Sequence, residues 1–152
     1  AGLPAGNLTL ADVYTAFPFP NTLATLTLTG ADLADILEHG LSRMNQPGGA
    51  GRFLQVAGLR YVFDPAKPEG SRLLEAQIAD AGGWFSPLLP EATYRVAVSG
   101  FLLRGGDGYD FHEAKDVKDS GQAVTDVVVD YLKTKDHLPP ALDGRIQEAN
   151  AK

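Results

Sequence analysis

Asp107 is the one carboxylate in a turn that holds three glycines, Gly105, Gly106 and Gly108. Glycine admits left-handed backbone and lets another molecule approach the main chain closely. Phe101, Tyr109 and Phe111 flank the turn. A carboxylate acceptor between aromatic rings, on permissive backbone, suits a flat polar ligand that has hydroxyls to donate. The same residues also suit a tight turn whose aspartate bonds its own backbone while the rings fill the core. Spacing alone leaves both readings open.

Hydrolytic chemistry is harder to find. A two-metal centre needs clustered Asp, His and Asn ligands. The three histidines, His39, His112 and His137, are each solitary in sequence. None has His-x-His or His-Glu-x-x-His spacing, and only His112 lies near the glycine turn. Gly105 to Gly108 lacks the Lys-Ser/Thr ending of a phosphate loop, and there is no Gly-x-Ser-x-Gly nucleophile turn. The absence of cysteine removes disulfides, thiolate nucleophiles and Cys-based metal sites together. A net charge of −6, with no run of Lys or Arg, argues against a nucleic-acid footprint or an anionic membrane surface. No apolar run approaches the roughly 18 residues of a membrane helix. The chain by itself is therefore not expected to be a freestanding enzyme, and no nucleic-acid partner, membrane segment or metal of its own is expected.

At 152 residues the chain is read as a single domain, 1-152, large enough to bury a core. It opens on Ala1-Gly2-Leu3-Pro4 without a basic and then apolar leader. Ala1 to Gly6 has neither cap nor periodicity and reads as the cut end of a longer chain. Thr9 and Asp12 form a capping pattern, and Leu10, Val13, Tyr14 and Phe17 predict a short helix burying that face. Asn21 to Thr29 alternates as a strand, and Thr29 with Asp32 caps a helix predicted over Ala31 to Met44, with His39 exposed off its apolar stripe. After a glycine loop over Asn45 to Arg52, strands are expected at Phe53 to Ala57 and Leu59 to Phe63, bent at Gly58. Asp64 to Gly70 is a turn-rich connector before a strand over Arg72 to Ala79, and Ala81 to Pro90 is loop. Tyr94 to Ser99 is a strand that feeds the glycine turn, and Gln122 to Lys133 is read as a helix. Pro139-Pro140 breaks the chain before a short terminal strand at Gly144 to Ile146 and a frayed tail.

Phe101-Leu102-Leu103-Arg104-Gly105-Gly106-Asp107-Gly108-Tyr109 resembles the Phe-Leu-x-x-Gly-Gly-Asp-Gly-aromatic signature of the 5′-nucleotidase C-terminal domain. Gly51 to Arg60 resembles that family's Gly-x-Phe-Leu-Gln-Val stretch, and Phe17 to Thr22 its Pro-Phe-x-Asn segment. The resemblance covers essentially the whole chain. It implies an α+β (mixed α/β) fold, a four-layer α/β/β/α domain, belonging to a metal-dependent phosphohydrolase of the 5′-nucleotidase type. Two divalent metal ions are implied in an N-terminal metallophosphoesterase domain that lies outside this chain. Phe19 and Phe101 match the family's two base-stacking aromatics, Asp107 the carboxylate that accepts from ribose hydroxyls, and Gly51, more weakly, a backbone approach to the base. The family's Asn-Gly-Gly-x-Arg segment would lie just before Ala1. Phe53, Leu54, Gln55 and Val56 are read as structural. Three departures stand out: Gly100 where the family commonly has Asn, Pro20 where it has a small residue, and Arg104. The last is a weak candidate for contact with a sugar or phosphate. The implied ligand is a nucleoside or nucleotide, and the implied location periplasmic or extracellular. The alternatives are a non-catalytic binding or interaction module of the same fold, or the equivalent domain of a relative acting on a non-nucleotide substrate.

Overall fold

The computed structural model describes residues 2–138 and 142–149. Its organising strand is β1 (Thr22–Thr29), the Thr-Leu alternation read above. Ala24, Leu26 and Leu28 are buried on one face, while the residues between them are only partly covered. β1 is the middle of a three-stranded antiparallel sheet, flanked by β5 (Thr93–Ser99) and β6 (Lys115–Ala123). No hydrophobic alternation announces β6: it reads Lys-Asp-Val-Lys-Asp-Ser-Gly-Gln-Ala and is almost wholly exposed. It is a charged edge strand with register shifts, features that discourage further pairing.

β1 runs directly into α2 (Gly30–Leu41). Thr29 Oγ1 accepts from the Asp32 amide at 3.1 Å, and the Asp32 carboxylate accepts from the Thr29 amide at 3.1 Å, completing the predicted capping box. The helix stops before the expected Met44 because its end is taken over by side chains. Buried Arg72 donates to the carbonyls of Leu41 and Ser42, groups a helix end would otherwise leave unpaired. Glu38 in turn accepts from the Arg72 and Leu73 amides at 2.9 and 2.6 Å. The second sheet, ordered β4-β3-β2-β7, thereby hangs on α2 through the start of β3. Its strands are β4 (Phe85–Pro87), β3 (Leu73–Ala79), β2 (Leu59–Phe63) and β7 (Ile146–Glu148), the last parallel to β2.

One core cluster joins Leu33 and Ile36 of α2 to Leu26, Leu28, Tyr109 and Phe111. A second joins Leu37 and Leu41 to Tyr61 and Phe63. The helix thus supplies both clusters, one on each side of its apolar stripe. Among the described residues the result is a mixed architecture of two sheets and four helices, as the fold class anticipates.

Three expectations change. Phe53 to Ala57 forms no strand, because β3 and β7 already occupy both edges of β2. Phe53, Leu54 and Val56 pack on the two clusters from irregular backbone, while Gln55 is exposed. α1 (Leu10–Ala16) is capped by Thr9 and Asp12 as predicted, but Val13 is its only buried residue. It lies on the surface beside α4 (Val124–Lys133), tied there by a 3.2 Å bond from Thr125 Oγ1 to the Phe17 carbonyl. Leu10, Tyr14 and Phe17 stay exposed because α4 covers only one flank of so short a helix. The segment read as loop over Ala81 to Pro90 includes the short edge strand β4. Pro139-Pro140 and the end of the tail lie outside the described residues.

Gly30 shows how tightly the β1–α2 junction is built. A Cβ there would stand 2.1 Å from the Leu89 carbonyl oxygen, which is backbone and cannot swing aside. Gly51, by contrast, faces open space. Gly30→Ala is expected to lower stability to urea by about 1–3 kcal/mol through overpacking. Gly51→Ala should stay within about 0.5 kcal/mol of the parent. Equal midpoint shifts for the two would contradict this junction.

Candidate functional site

Strand register decides where the candidate residues meet. Leu23 of β1 pairs with Ser99 of β5, so the chain enters β1 and leaves β5 at the same end of the sheet. Phe19 lies just upstream of that end on one strand, and Phe101 just downstream on the other. The two segments touch there: a Cβ added to Gly100 would fall 2.8 Å from Thr22 Oγ1. Phe19 is 71% exposed and Phe101 43% exposed, so neither ring is spent on the core.

From Ser99 the chain makes a single helical turn, α3 (Gly100–Leu103), and then the 3-10 turn Gly106–Gly108. Gly105, Asp107 and Gly108 all have positive φ, at 88°, 54° and 79°. For Asp107 this left-handed geometry costs on the order of 1 kcal/mol and needs support from its surroundings. At Gly106 the requirement is steric: a Cβ would stand 2.4 Å from the Phe101 ring, which therefore lies directly against the turn. The Asp107 side chain is on the exposed surface, and its carbonyl oxygen accepts from His39 Nε2 at 3.1 Å.

The other two aromatics of the motif do the opposite of Phe101. Tyr109 is 3% exposed and Phe111 8% exposed, and both belong to the core cluster under α2. Burial pushes the Tyr109 phenol far above its ordinary range, so it remains a donor, and it gives a 2.6 Å bond to the Arg52 carbonyl. Gly40 makes room for it, since a Cβ there would lie 2.9 Å from the phenol oxygen. The 3-10 turn Gly49–Arg52, which carries Gly51, is thereby joined to the glycine turn through Tyr109. Arg52 itself donates from Nη1 to Ser42 Oγ at 3.0 Å.

Arg104 folds back across Gly100, where an added Cβ would meet its Nη1 at 2.8 Å. Glycine at this position thus makes space for the guanidinium beside Thr22. Asp119 stands on the same side, accepting from Thr22 Oγ1 at 2.8 Å. Its carboxyl is held below the usual range chiefly by the Gly121 amide, then by the Thr22 hydroxyl, with the Arg104 charge adding to both.

His39 is half-buried rather than exposed, its ring edge-on to Tyr109 with centroids 4.6 Å apart. Sequence reasoning placed it off the apolar stripe and missed this. The available signal was its neighbour Gly40, a glycine inside a helix, where it costs about 0.5–1 kcal/mol relative to Ala and so marks a close approach. A cleft of about 280 Å³ opens between α2 and the segment after the turn, lined by Asp32, Asp35, His39, Asp110 and His112 among others. Among the described residues no three His, Asp or Glu side chains are grouped so as to hold a metal ion. No helix there is long and apolar enough to cross a membrane.

This chain belongs to the family described as 5′-nucleotidase, C-terminal domain, whose sequence model matches residues 1–114. It is 39% identical over 150 residues to the trifunctional nucleotide phosphoesterase protein YfkN of Bacillus subtilis, covering 97% of this chain and 10% of that one. It is 32% identical over 145 residues to a snake venom 5′-nucleotidase of Macrovipera lebetinus, covering 93% of this chain and 35% of the relative. A 5′-nucleotidase precursor from Thermus thermophilus superposes with a TM-score of 0.86 at 38% identity, over 95% of this chain and 28% of that one. The chain therefore spans about a third or less of the length of these relatives.

His112 is open to solvent and bonded on both sides, with Nδ1 2.8 Å from Asp110 and Nε2 3.1 Å from Glu113. The Asp110 bond, and then its charge, raise the imidazole pKa above the ordinary 6.5. A raised folded pKa contributes stability that is fully present below the unfolded value and lost as pH rises through the folded one. An NMR titration should find the His112 midpoint above 6.5, and Asp110→Asn should bring it down. A midpoint at or below 6.5 in the parent, or one unmoved by the substitution, would contradict the pairing.

Proposed function

We propose that this domain holds the nucleoside part of the substrate of a metal-dependent 5′-nucleotidase-type phosphohydrolase. One observation carries the reading: Phe19, Phe101 and the Asp107 turn come to one end of the three-stranded sheet, with both rings outside the core. Two rings stacking on one base need planes about 7 Å apart, twice the optimal carbon–carbon separation. Each stacked face contributes on the order of 1–3 kcal/mol and tolerates any base. A hydrogen bond between the Asp107 carboxylate and a ribose hydroxyl adds roughly 1.5–3 kcal/mol. Recognition of this kind favours nucleosides over other sugars and discriminates weakly among bases.

Gly51 adds a backbone approach to the base edge. Arg104, leaning toward Thr22 and Asp119, is a weaker contributor that bears on the phosphate side of the ligand. Two divalent metal ions in an N-terminal metallophosphoesterase domain of the parent protein supply the hydrolytic chemistry. This chain binds and orients, and by itself turns over nothing. A periplasmic or extracellular location is supported by the likeness to a venom enzyme.

Two measurements test the reading. The chain incubated with AMP and Mn²⁺ should release no phosphate; turnover that disappears on mutating a residue of this chain would overturn the division of labour. In the parent enzyme, Phe101→Ala should raise KM for nucleotides roughly 5- to 150-fold, the loss of one stacking contact. Phenyl phosphate, which has no base to stack, should be spared. Equal effects on both substrates would show that Phe101 supports the fold and not the ligand.

A further inference from the structure

We infer that His39 is a positioning residue for Asp107, fixing the backbone from which that carboxylate meets the ribose. The inference rests on the nucleoside reading above, since it concerns how the same site is held. Asp107 is one of two non-glycine residues with positive φ among the described residues. The backbone bonds across the turn, from Gly108 to the Gly105 carbonyl and from Tyr109 to the Gly106 carbonyl, use neither the amide nor the carbonyl of Asp107. Its carbonyl oxygen can only accept, so the 3.1 Å contact with His39 Nε2 requires the proton on that nitrogen. The ring is set for this by two further contacts. It stands edge-on against Tyr109, at an interplanar angle of 70°. It also lies under Gly108, where an added Cβ would be 3.4 Å from the imidazole carbon between the nitrogens. Tyr109 is anchored in turn by its bond to the Arg52 carbonyl and by the space above Gly40. A helix in the core thereby reaches, through one ring, the single left-handed residue on which the ribose contact depends.

Rigid support of this kind matters because a carboxylate on a loose turn loses part of its hydrogen-bond energy to ordering. Glutamine can place an N–H donor near the position of imidazole Nε2, whereas phenylalanine keeps the aromatic edge against Tyr109 and loses the donor. The test titrates adenosine into the parent chain and into His39→Gln, His39→Phe and Asp107→Ala, with long-range ¹⁵N–¹H correlation on the His39 ring. The expected result is an Nε2–H tautomer, adenosine binding weakened about fivefold in His39→Phe with the melting temperature lowered by no more than a few degrees, and recovery to within about twofold in His39→Gln. An Nδ1–H tautomer overturns the inference and needs no variant to be seen. So does full affinity in His39→Phe. If the parent chain fails to bind adenosine, or Asp107→Ala binds equally well, the nucleoside reading falls. The positioning claim is then decided by ¹⁵N relaxation of Asp107 and Gly108. Added mobility in His39→Phe that His39→Gln reverses upholds it, and unchanged relaxation overturns it.

Discussion

The register between β1 and β5 is the constraint on which the rest depends. With Leu23 opposite Ser99, the segment before β1, which carries Phe19, and the segment after β5, which carries Phe101, emerge at the same end of the sheet despite their distance in sequence. The same register puts Ala24, Leu26 and Leu28 on the buried face of β1. A slip of one residue would turn those side chains outward and bring the intervening threonines to the core. Burial of the leucines and the common exit of the segments that carry the two phenylalanines thus follow from one set of backbone bonds. A mutation that loosened the strand pair would lose both.

A second layer of the design lies in how the glycine turn is held. The motif spends its glycines on positive φ and on contact with the Phe101 ring, which leaves Asp107 as the strained member. The compensation comes from the core: Tyr109 and Phe111 fasten the far side of the turn under α2. α2 is itself set at its start by the Thr29–Asp32 box and at its end by Arg72. A rigid scaffold carrying a short exposed loop is the usual arrangement for a binding site.

What the sequence made legible was local. Both capping boxes, the β1 alternation and the apolar stripe of α2 are short-range patterns, and each is in place. What it hid was set by competition between elements. Phe53 to Ala57 has strand-like composition but finds both edges of β2 taken. β6 pairs although its sequence is polar, because the edge of β1 offers partners that no hydrophobic pattern records. Leu10 and Tyr14 have helical spacing, yet each stays about half exposed on the α1 surface. Within the candidate site, the division of aromatics into exposed Phe101 and buried Tyr109 and Phe111 could not be read from spacing, which treats all three alike. His39 was obscured because its partner is a backbone carbonyl far along the chain, which leaves Gly40 as the local sign of a close approach.

The central claim is that two exposed rings and one carboxylate form a single nucleoside site. Intermolecular NOEs between adenosine and this chain test it most directly. The account predicts that the base protons H2 and H8 show NOEs to the ring protons of both Phe19 and Phe101, with the ribose H2′ and H3′ near the Gly106 to Gly108 amides. Base contacts to one ring only, or to the surface of α1 and α4, would contradict it.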